Sequence, residues 1–200
     1  MTTLFTGLTP PDADCIHTPL IEITPVEDDA ALQNAAREIA RYDYVLFTSR
    51  YTARYVGKMF VRAKQIVSIG STTTAALYQA GINQVIQVDS DNSYGVISWF
   101  QQQPRGRVLV PRSNLALPII PEGLKKLGFE VDTVTAYINS MPKNPQRVDL
   151  SMIDRIVFTS PSTVDNFIRL YGALPKRKVF ETRGPVTEHY LKTKIKEQNL

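Results

Sequence analysis

Two hundred residues, 43% of them apolar, are enough to bury one large core or two small ones, which excludes a disordered chain. A single cysteine, Cys15, excludes an internal disulfide and any cysteine-rich metal site, and no stretch approaches the roughly 18 apolar residues of a membrane span. A net charge of +4 favours an anionic partner, but the densest basic clusters, "PKRK" at 175–178 and "KTKIK" at 192–196, lack the interleaved aromatics of a nucleic-acid surface. The expectation is a soluble, cytoplasmic protein that binds neither nucleic acid nor membrane, since "MTTLFTGLTPPDADC" lacks a basic start and a signal-length apolar run.

Along the chain, runs rich in β-branched residues alternate with stretches of helical period. "YVLF" leads into a helix over "RYTARYVGKMF", and "QIVSIG" leads into "STTTAALYQAG", with Gly81 as its stop. "QVIQV" is followed by "SYGVISWFQQQ", where Ser93 can cap a helix whose Val96, Ile97 and Phe100 share a face. "RVLVP" precedes "LPIIPEGLKKLG", with Ile120, Leu124 and Leu127 at helical spacing and Gly128 as the stop, and "FEVDTVTAYI" is another strand. Strict alternation of strand and helix argues for α/β units on parallel sheets.

The chain also repeats itself. Asp43, Phe47, Thr48, Ser49 and Thr52 recur as Asp154, Phe158, Thr159, Ser160 and Thr163. Gly70, Thr73 and Leu77 recur as Gly184, Thr187 and Leu191, and "IHTPLIEI" aligns loosely with "VDTVTAYI". The spacings are nearly equal and in one order, and far too long for a solenoid, so they describe a duplicated α/β half.

In open parallel sheets, ligands bind beyond the carboxyl ends of the strands, where Phe-Thr-Ser falls. Serine and threonine there serve as helix caps, and with backbone N–H groups and a helix dipole they also make a seat for carboxylate or phosphate. The Gly-x-x-Thr turns "IGSTT" and "RGPVT" offer the same arrangement. Two seats on each half suit a ligand with several negative groups, if the halves form a cleft.

Other chemistry is missing. The chain has no phosphate-binding Gly-x-x-x-x-Gly-Lys loop, no Gly-x-Gly-x-x-Gly, no His-Glu-x-x-His and no Gly-x-Ser-x-Gly. Its two histidines, His17 and His189, read as structural or surface residues, and no metal site is expected.

"DYVLFTSRYTARYV", "IVSIGSTTTAALYQAGI", "VLVPRSNLALPIIPEGLKKLGFEVDTVTAYINSMP" and "IDRIVFTSPSTVDNFIRLYG", in that order, resemble the uroporphyrinogen-III synthase family over roughly residues 16–190. The resemblance implies two flavodoxin-like parallel-sheet α/β domains joined by a two-stranded linker. Domain one would be discontinuous, 1–21 and 142–200, domain two 26–136, and the linker strands 22–25 and 137–141. It further implies a monomer that uses no cofactor and converts hydroxymethylbilane, a linear tetrapyrrole with eight carboxylates, into uroporphyrinogen III.

Residue by residue, the resemblance makes Tyr137 in "VTAY" the proton donor. It assigns substrate contacts to Ser49, Gly70, Thr73, Thr159, Ser160, Ser162, Gly184 and Thr187, and it sets Arg112 and Asn114 of "PRSN" in a strand-end loop. Arg112 there meets either a carboxylate or a surface ion pair. Two departures fall on domain one. "LFTGLTPPDADCIHTPLIEI" leaves no room for the helix that usually follows the first strand, and the usual last strand and helix have no counterpart before Leu200, so a trimmed domain is expected. "VFETR" puts a charge where the family has an apolar run. The alternatives are a polyanion-binding module of this fold without turnover, and an unrelated α/β protein binding a phosphorylated metabolite.

Overall fold

A computed structural model describes residues 1–11, 14–90 and 92–198. The chain opens with β1 (Thr3–Phe5), β2 (Ile16–His17) and β3 (Glu22–Pro25), then α1 (Ala30–Arg37), β4 (Tyr44–Phe47) and α2 (Arg50–Val56). It continues through β5 (Ile66–Ile69), α3 (Gly70–Gln79), β6 (Ile86–Val88), α4 (Ser93–Gln101), β7 (Arg107–Ser113), α5 (Ile119–Lys126) and β8 (Glu130–Ser140). It finishes with β9 (Arg155–Phe158), α6 (Pro161–Tyr171), β10 (Val179–Thr182) and α7 (Pro185–Glu197). The fold is mixed α/β with parallel sheets. No helix among the described residues is long and apolar enough to cross a membrane.

By contact density the chain forms two compact units, residues 23–139 and residues 1–22 with 140–200. The first holds a six-stranded sheet in the order β3-β8-β7-β4-β5-β6, whose β8-β7-β4-β5-β6 pairs are all parallel. Strands buried on both faces read as continuous apolar runs, and β4 shows why. Val45 and Phe47 enter one core with Leu32 of α1, Ala53 and Val56 of α2 and Leu77 of α3. Tyr44 and Leu46 enter the other with Val96 and Phe100 of α4 and Ile120 and Leu124 of α5. Numbered from β4, the parallel strands run 3-2-1-4-5, so the strand order reverses between β4 and β7, where such sheets open a crevice.

The smaller unit holds a parallel four-stranded sheet, β10-β9-β1-β2, whose order reverses between β1 and β9. Leu4, Ile156 and Phe158 pack on one face with Val164 and Phe167 of α6 and Leu191 of α7. No helix occurs among the described residues between β1 and β2. In register, Arg155, Val179 and Glu181 belong to the other face, and Arg155 pairs with Glu181 at 3.1 Å. The charge in "VFETR" therefore lies on the sheet face away from α6 and α7, where a solvated ion pair costs little.

The repeated aspartates begin the two sheets in the same way. Asp43 Oδ2 accepts the Arg107 N–H at 2.9 Å, Asp43 Oδ1 accepts from Lys64 at 2.9 Å, and Asp154 Oδ2 accepts the Thr2 N–H at 2.7 Å. Each carboxylate thus satisfies a backbone donor at the open end of a neighbouring strand. These hydrogen bonds hold the Asp43 carboxyl below its ordinary range, that to Arg107 most of all.

Two local expectations are corrected. The cap of α4 is Asn92, whose Oδ1 accepts from Tyr94 N at 3.0 Å and Gly95 N at 3.1 Å, and Ser93 is the first helical residue. The helix over "RYTARYVGKMF" stays α-helical only to Val56 and tightens into a 3-10 turn over Gly57–Phe60. Helix α1 is an addition to the expected elements, although Leu32, Ala35 and Ile39 recur at helical spacing and are buried.

Candidate functional site

The candidate site of the larger unit gathers residues at the carboxyl ends of β4, β5, β7 and β8, and its cavity lies between the loops that follow β4 and β5. Ser49 follows β4 in extended backbone, and its Oγ accepts from Tyr51 N at 3.2 Å, so it caps α2 as its position suggests. Gly70 follows β5 with φ 63°, a conformation costly for other residues, and starts α3 directly from the strand. Below it Ser68 and Thr74 share a 2.6 Å hydrogen bond, and Thr74 Oγ1 donates to the Gly70 carbonyl at 3.0 Å. Between these loops lies a cavity of about 370 Å³ lined by Thr48, Ser49, Arg50, Tyr51, Gly70 and Thr73, among others. Arg50 is a cation that the sequence motifs do not single out. It stacks on Tyr51, with its guanidinium carbon 5.1 Å from the ring centroid, and donates to the Tyr51 hydroxyl at 3.1 Å.

Tyr137 reaches this site through a slip in register. Thr135 lies opposite Arg112, but the next residue of β7, Ser113, lies opposite Tyr137 and not Ala136. A bulge of this kind lets two successive side chains share a face, and Val134, Ala136 and Tyr137 all enter the core beneath α1, α2 and α3. Tyr137 is 7% exposed, and its hydroxyl donates to Ser49 Oγ at 3.2 Å. Tyr51 and Tyr55 flank the ring at 6.0 and 6.4 Å between centroids. Burial pushes the phenol above its ordinary value, with its hydrogen-bonding contacts to Ser49 and Ser113 opposing.

Asn114 ties the end of β7 to the departing strand. Its Oδ1 accepts from Asn139 N at 2.7 Å, its Nδ2 donates to Asn139 O at 3.3 Å, and its own N–H donates to Tyr137 O at 3.3 Å. Arg112 bends back to the Ala116 carbonyl, and burial pulls its guanidinium below the ordinary arginine value. It has no ion pair among the described residues.

In the smaller unit, Thr159, Ser160 and Ser162 lie at the end of β9. Thr163 Oγ1 accepts from Thr159 N at 3.2 Å and from Ser160 N at 3.3 Å, and donates to Ser160 O at 2.7 Å. Those two backbone donors are therefore committed to the helix start, and Ser160 Oγ meets Ser162 Oγ at 2.9 Å. The counterpart Thr52 differs, since its buried Oγ1 has no hydrogen-bond partner among the described residues. Across the switch point Gly7 fits closely, because a Cβ there would meet Thr159 Cγ2 at 2.6 Å. Gly184, at φ 88°, precedes Pro185 and opens α7, with Thr187 buried in the first turn. His17 donates from Nε2 to the Gly7 carbonyl at 2.8 Å, and His189 lies within α7. Among the described residues no cluster of three His, Cys, Asp or Glu is placed to hold a metal.

Two parallel switch-point sheets, each edged by hydroxyl-bearing loops, with a buried tyrosine behind one such loop, define a two-unit α/β protein. The chain belongs to the uroporphyrinogen-III synthase family: the model described as uroporphyrinogen-III synthase HemD matches residues 8–197. Membership places it among the proteins of tetrapyrrole biosynthesis.

A putative uroporphyrinogen-III synthase from Methanothermobacter thermautotrophicus is 24% identical over 84% of this chain and 76% of its own. A porphyrin biosynthesis protein HemD from Ruminiclostridium josui is 25% identical over 82% of this chain, which spans only 36% of that longer protein. Among solved structures, a mutant uroporphyrinogen III synthase from the extremely thermophilic bacterium Thermus thermophilus superposes with TM-score 0.68 at 17% identity, covering 96% of this chain and 88% of that one. The uroporphyrinogen-III synthetase from Helicobacter pylori gives 0.65 at 13% identity, over 99% and 89%. At these identities the structures share the fold.

Proposed function

We propose that the chain is a hydro-lyase that closes hydroxymethylbilane to uroporphyrinogen III, inverting the last pyrrole ring through a spiro intermediate with loss of water. The bilane carries its own driving force, because a pyrrole nitrogen expels the hydroxyl and leaves an azafulvene electrophile. Two tasks remain for the protein. It holds a flexible polyanion in the geometry that favours spiro closure, and it supplies a proton to the departing hydroxyl.

The observation that carries the reading is the register slip that buries Tyr137 and joins its hydroxyl to Ser49, which lines the cavity between the loops after β4 and β5. A phenol raised above its ordinary value stays protonated at neutral pH and is available as a donor. Within the larger unit Gly70, Thr73 and Arg112 offer seats for carboxylates, with Ser49 on the same cavity as Gly70 and Thr73, and Asn114 holds the loop that presents Arg112; within the smaller unit Ser160, Ser162, Gly184 and Thr187 offer seats of their own. Thr159 helps shape its loop, its N–H already being taken by Thr163.

Freshly generated hydroxymethylbilane, incubated with the purified protein, tests the activity when its products are resolved by isomer. Type III above the spontaneous type I background is expected. Type I alone from a folded sample would leave the polyanion-binding module.

A further inference from the structure

We infer that Ser49, and not Tyr137, is the group that touches the departing hydroxyl, with Tyr137 acting through it as a positioning residue and proton reserve. The inference rests on the cyclisation reading above and adds a residue to it. A serine hydroxyl has one proton to donate and two lone pairs to accept with. Both lone pairs of Ser49 are used, by Tyr51 N–H at 3.2 Å and by Tyr137 O–H at 3.2 Å. The proton of Ser49 is then its remaining hydrogen-bonding capacity. Ser49 lines the 370 Å³ cavity, whereas Tyr137 does not and is 7% exposed. A proton leaving Tyr137 for that cavity has Ser49 Oγ in its path.

The step balances without a co-reactant. The C–O bond of the hydroxymethyl group breaks, its electron pair leaves with the oxygen, and that oxygen takes the Ser49 proton and departs as water. Ser49 takes the Tyr137 proton, and the pyrrole nitrogen lone pair forms the azafulvenium cation, which keeps its N–H. When the rearranged ring regains aromaticity, its carbon gives up a proton, which returns through Ser49 to Tyr137.

The test compares Ser49→Gly, Ser49→Thr, Tyr137→Phe and the double variant Ser49→Gly with Tyr137→Phe. Glycine is a tolerated helix cap, so the fold is expected to survive. Ser49→Gly and Tyr137→Phe should each lower kcat for the type III isomer by about tenfold or more with KM little changed. The double variant should be no slower than the slower single one, and Ser49→Thr should recover most of the rate. A Ser49→Gly variant that raises KM alone, or losses that multiply in the double variant, would overturn the relay and make Ser49 an ordinary carboxylate seat.

A readout independent of turnover is the Cζ resonance of Tyr137 in tyrosine-labelled protein. It should move in Ser49→Gly and stay in Ser49→Thr, and a resonance indifferent to Ser49 overturns the relay on geometry alone. If the native chain makes no type III isomer while the resonance moves as expected, the hydrogen-bonded pair stands, and it is the cyclisation reading, with the catalytic role of Ser49 built on it, that falls.

Discussion

The Tyr137 hydroxyl donates to Ser49 Oγ at 3.2 Å across 88 residues of sequence, joining the carboxyl end of β8 to the cap of α2. One side of this contact stabilises a helix start, and the other holds a phenol beneath a crevice. Replacing Tyr137 by Phe should lower turnover while substrate binding survives, at a stability cost of about 1 kcal/mol for the lost hydrogen bond. Paired kinetics and denaturant titration measure both, and unchanged turnover would remove Tyr137 from the chemistry.

Alkaline pH should unfold the chain earlier than tyrosine chemistry alone requires. Tyr42, Tyr44 and Tyr137 are raised chiefly by burial, as is Tyr190, whose hydroxyl also donates to both Asp165 oxygens at 2.7 and 2.8 Å. A raised folded pKa means that the unfolded chain releases its protons first. Stability is therefore fully present below about pH 10 and is lost as pH rises beyond it. Tyr190→Phe should flatten that slope in pH-dependent denaturation, and an unchanged slope would contradict the assignment.

On the acid side the sign reverses. Asp43 is held low, so the stability it contributes is present above about pH 4 and is lost as pH falls through the folded value. Asp43→Asn keeps the size of the side chain but loses the charge on the Arg107 N–H and Lys64. It should cost about 1 kcal/mol at pH 7 and nothing at low pH. Equal losses at both pH values would show that charge is not what Asp43 supplies.

Much of this was legible because parallel strands buried on both faces are apolar almost throughout, as "YVLF" is and as "IVSI" is apart from Ser68, whose hydroxyl is satisfied by Thr74. The duplicated Asp and Phe-Thr-Ser marked sheet starts and helix caps for a local reason that a sequence carries. The bulge at Ala136 was hidden, because a register slip depends on the partner strand and leaves no composition of its own. Thr52 and Thr163 look identical in sequence, yet only Thr163 closes its loop. Arg50 was missed because one arginine at a helix start reads as a solvated charge.

Gly7→Ala tests the switch point of the smaller unit. The added methyl meets the Thr159 side chain at 2.6 Å and the Phe5 ring at 2.9 Å, so those side chains must shift. Overpacking of this kind costs about 1–3 kcal/mol, readable as a lower denaturation midpoint. An unshifted midpoint would mean that Thr159 and Phe5 give way at no cost.

For the rims, Ser160→Ala and Thr187→Ala should each weaken binding of a polycarboxylate by about 1 kcal/mol if a hydrogen bond to an anion is lost. Calorimetry with uroporphyrinogen analogues reads the change. Unaltered affinity would leave both residues as parts of the helix starts of α6 and α7.

The most direct measurement is a quenched time course of freshly generated hydroxymethylbilane with the native chain and with Tyr137→Phe in parallel, products resolved by isomer. The account predicts type III above the spontaneous type I from the native chain, and slower type III from the variant. Type I alone from folded native protein, or equal rates from both, would contradict it.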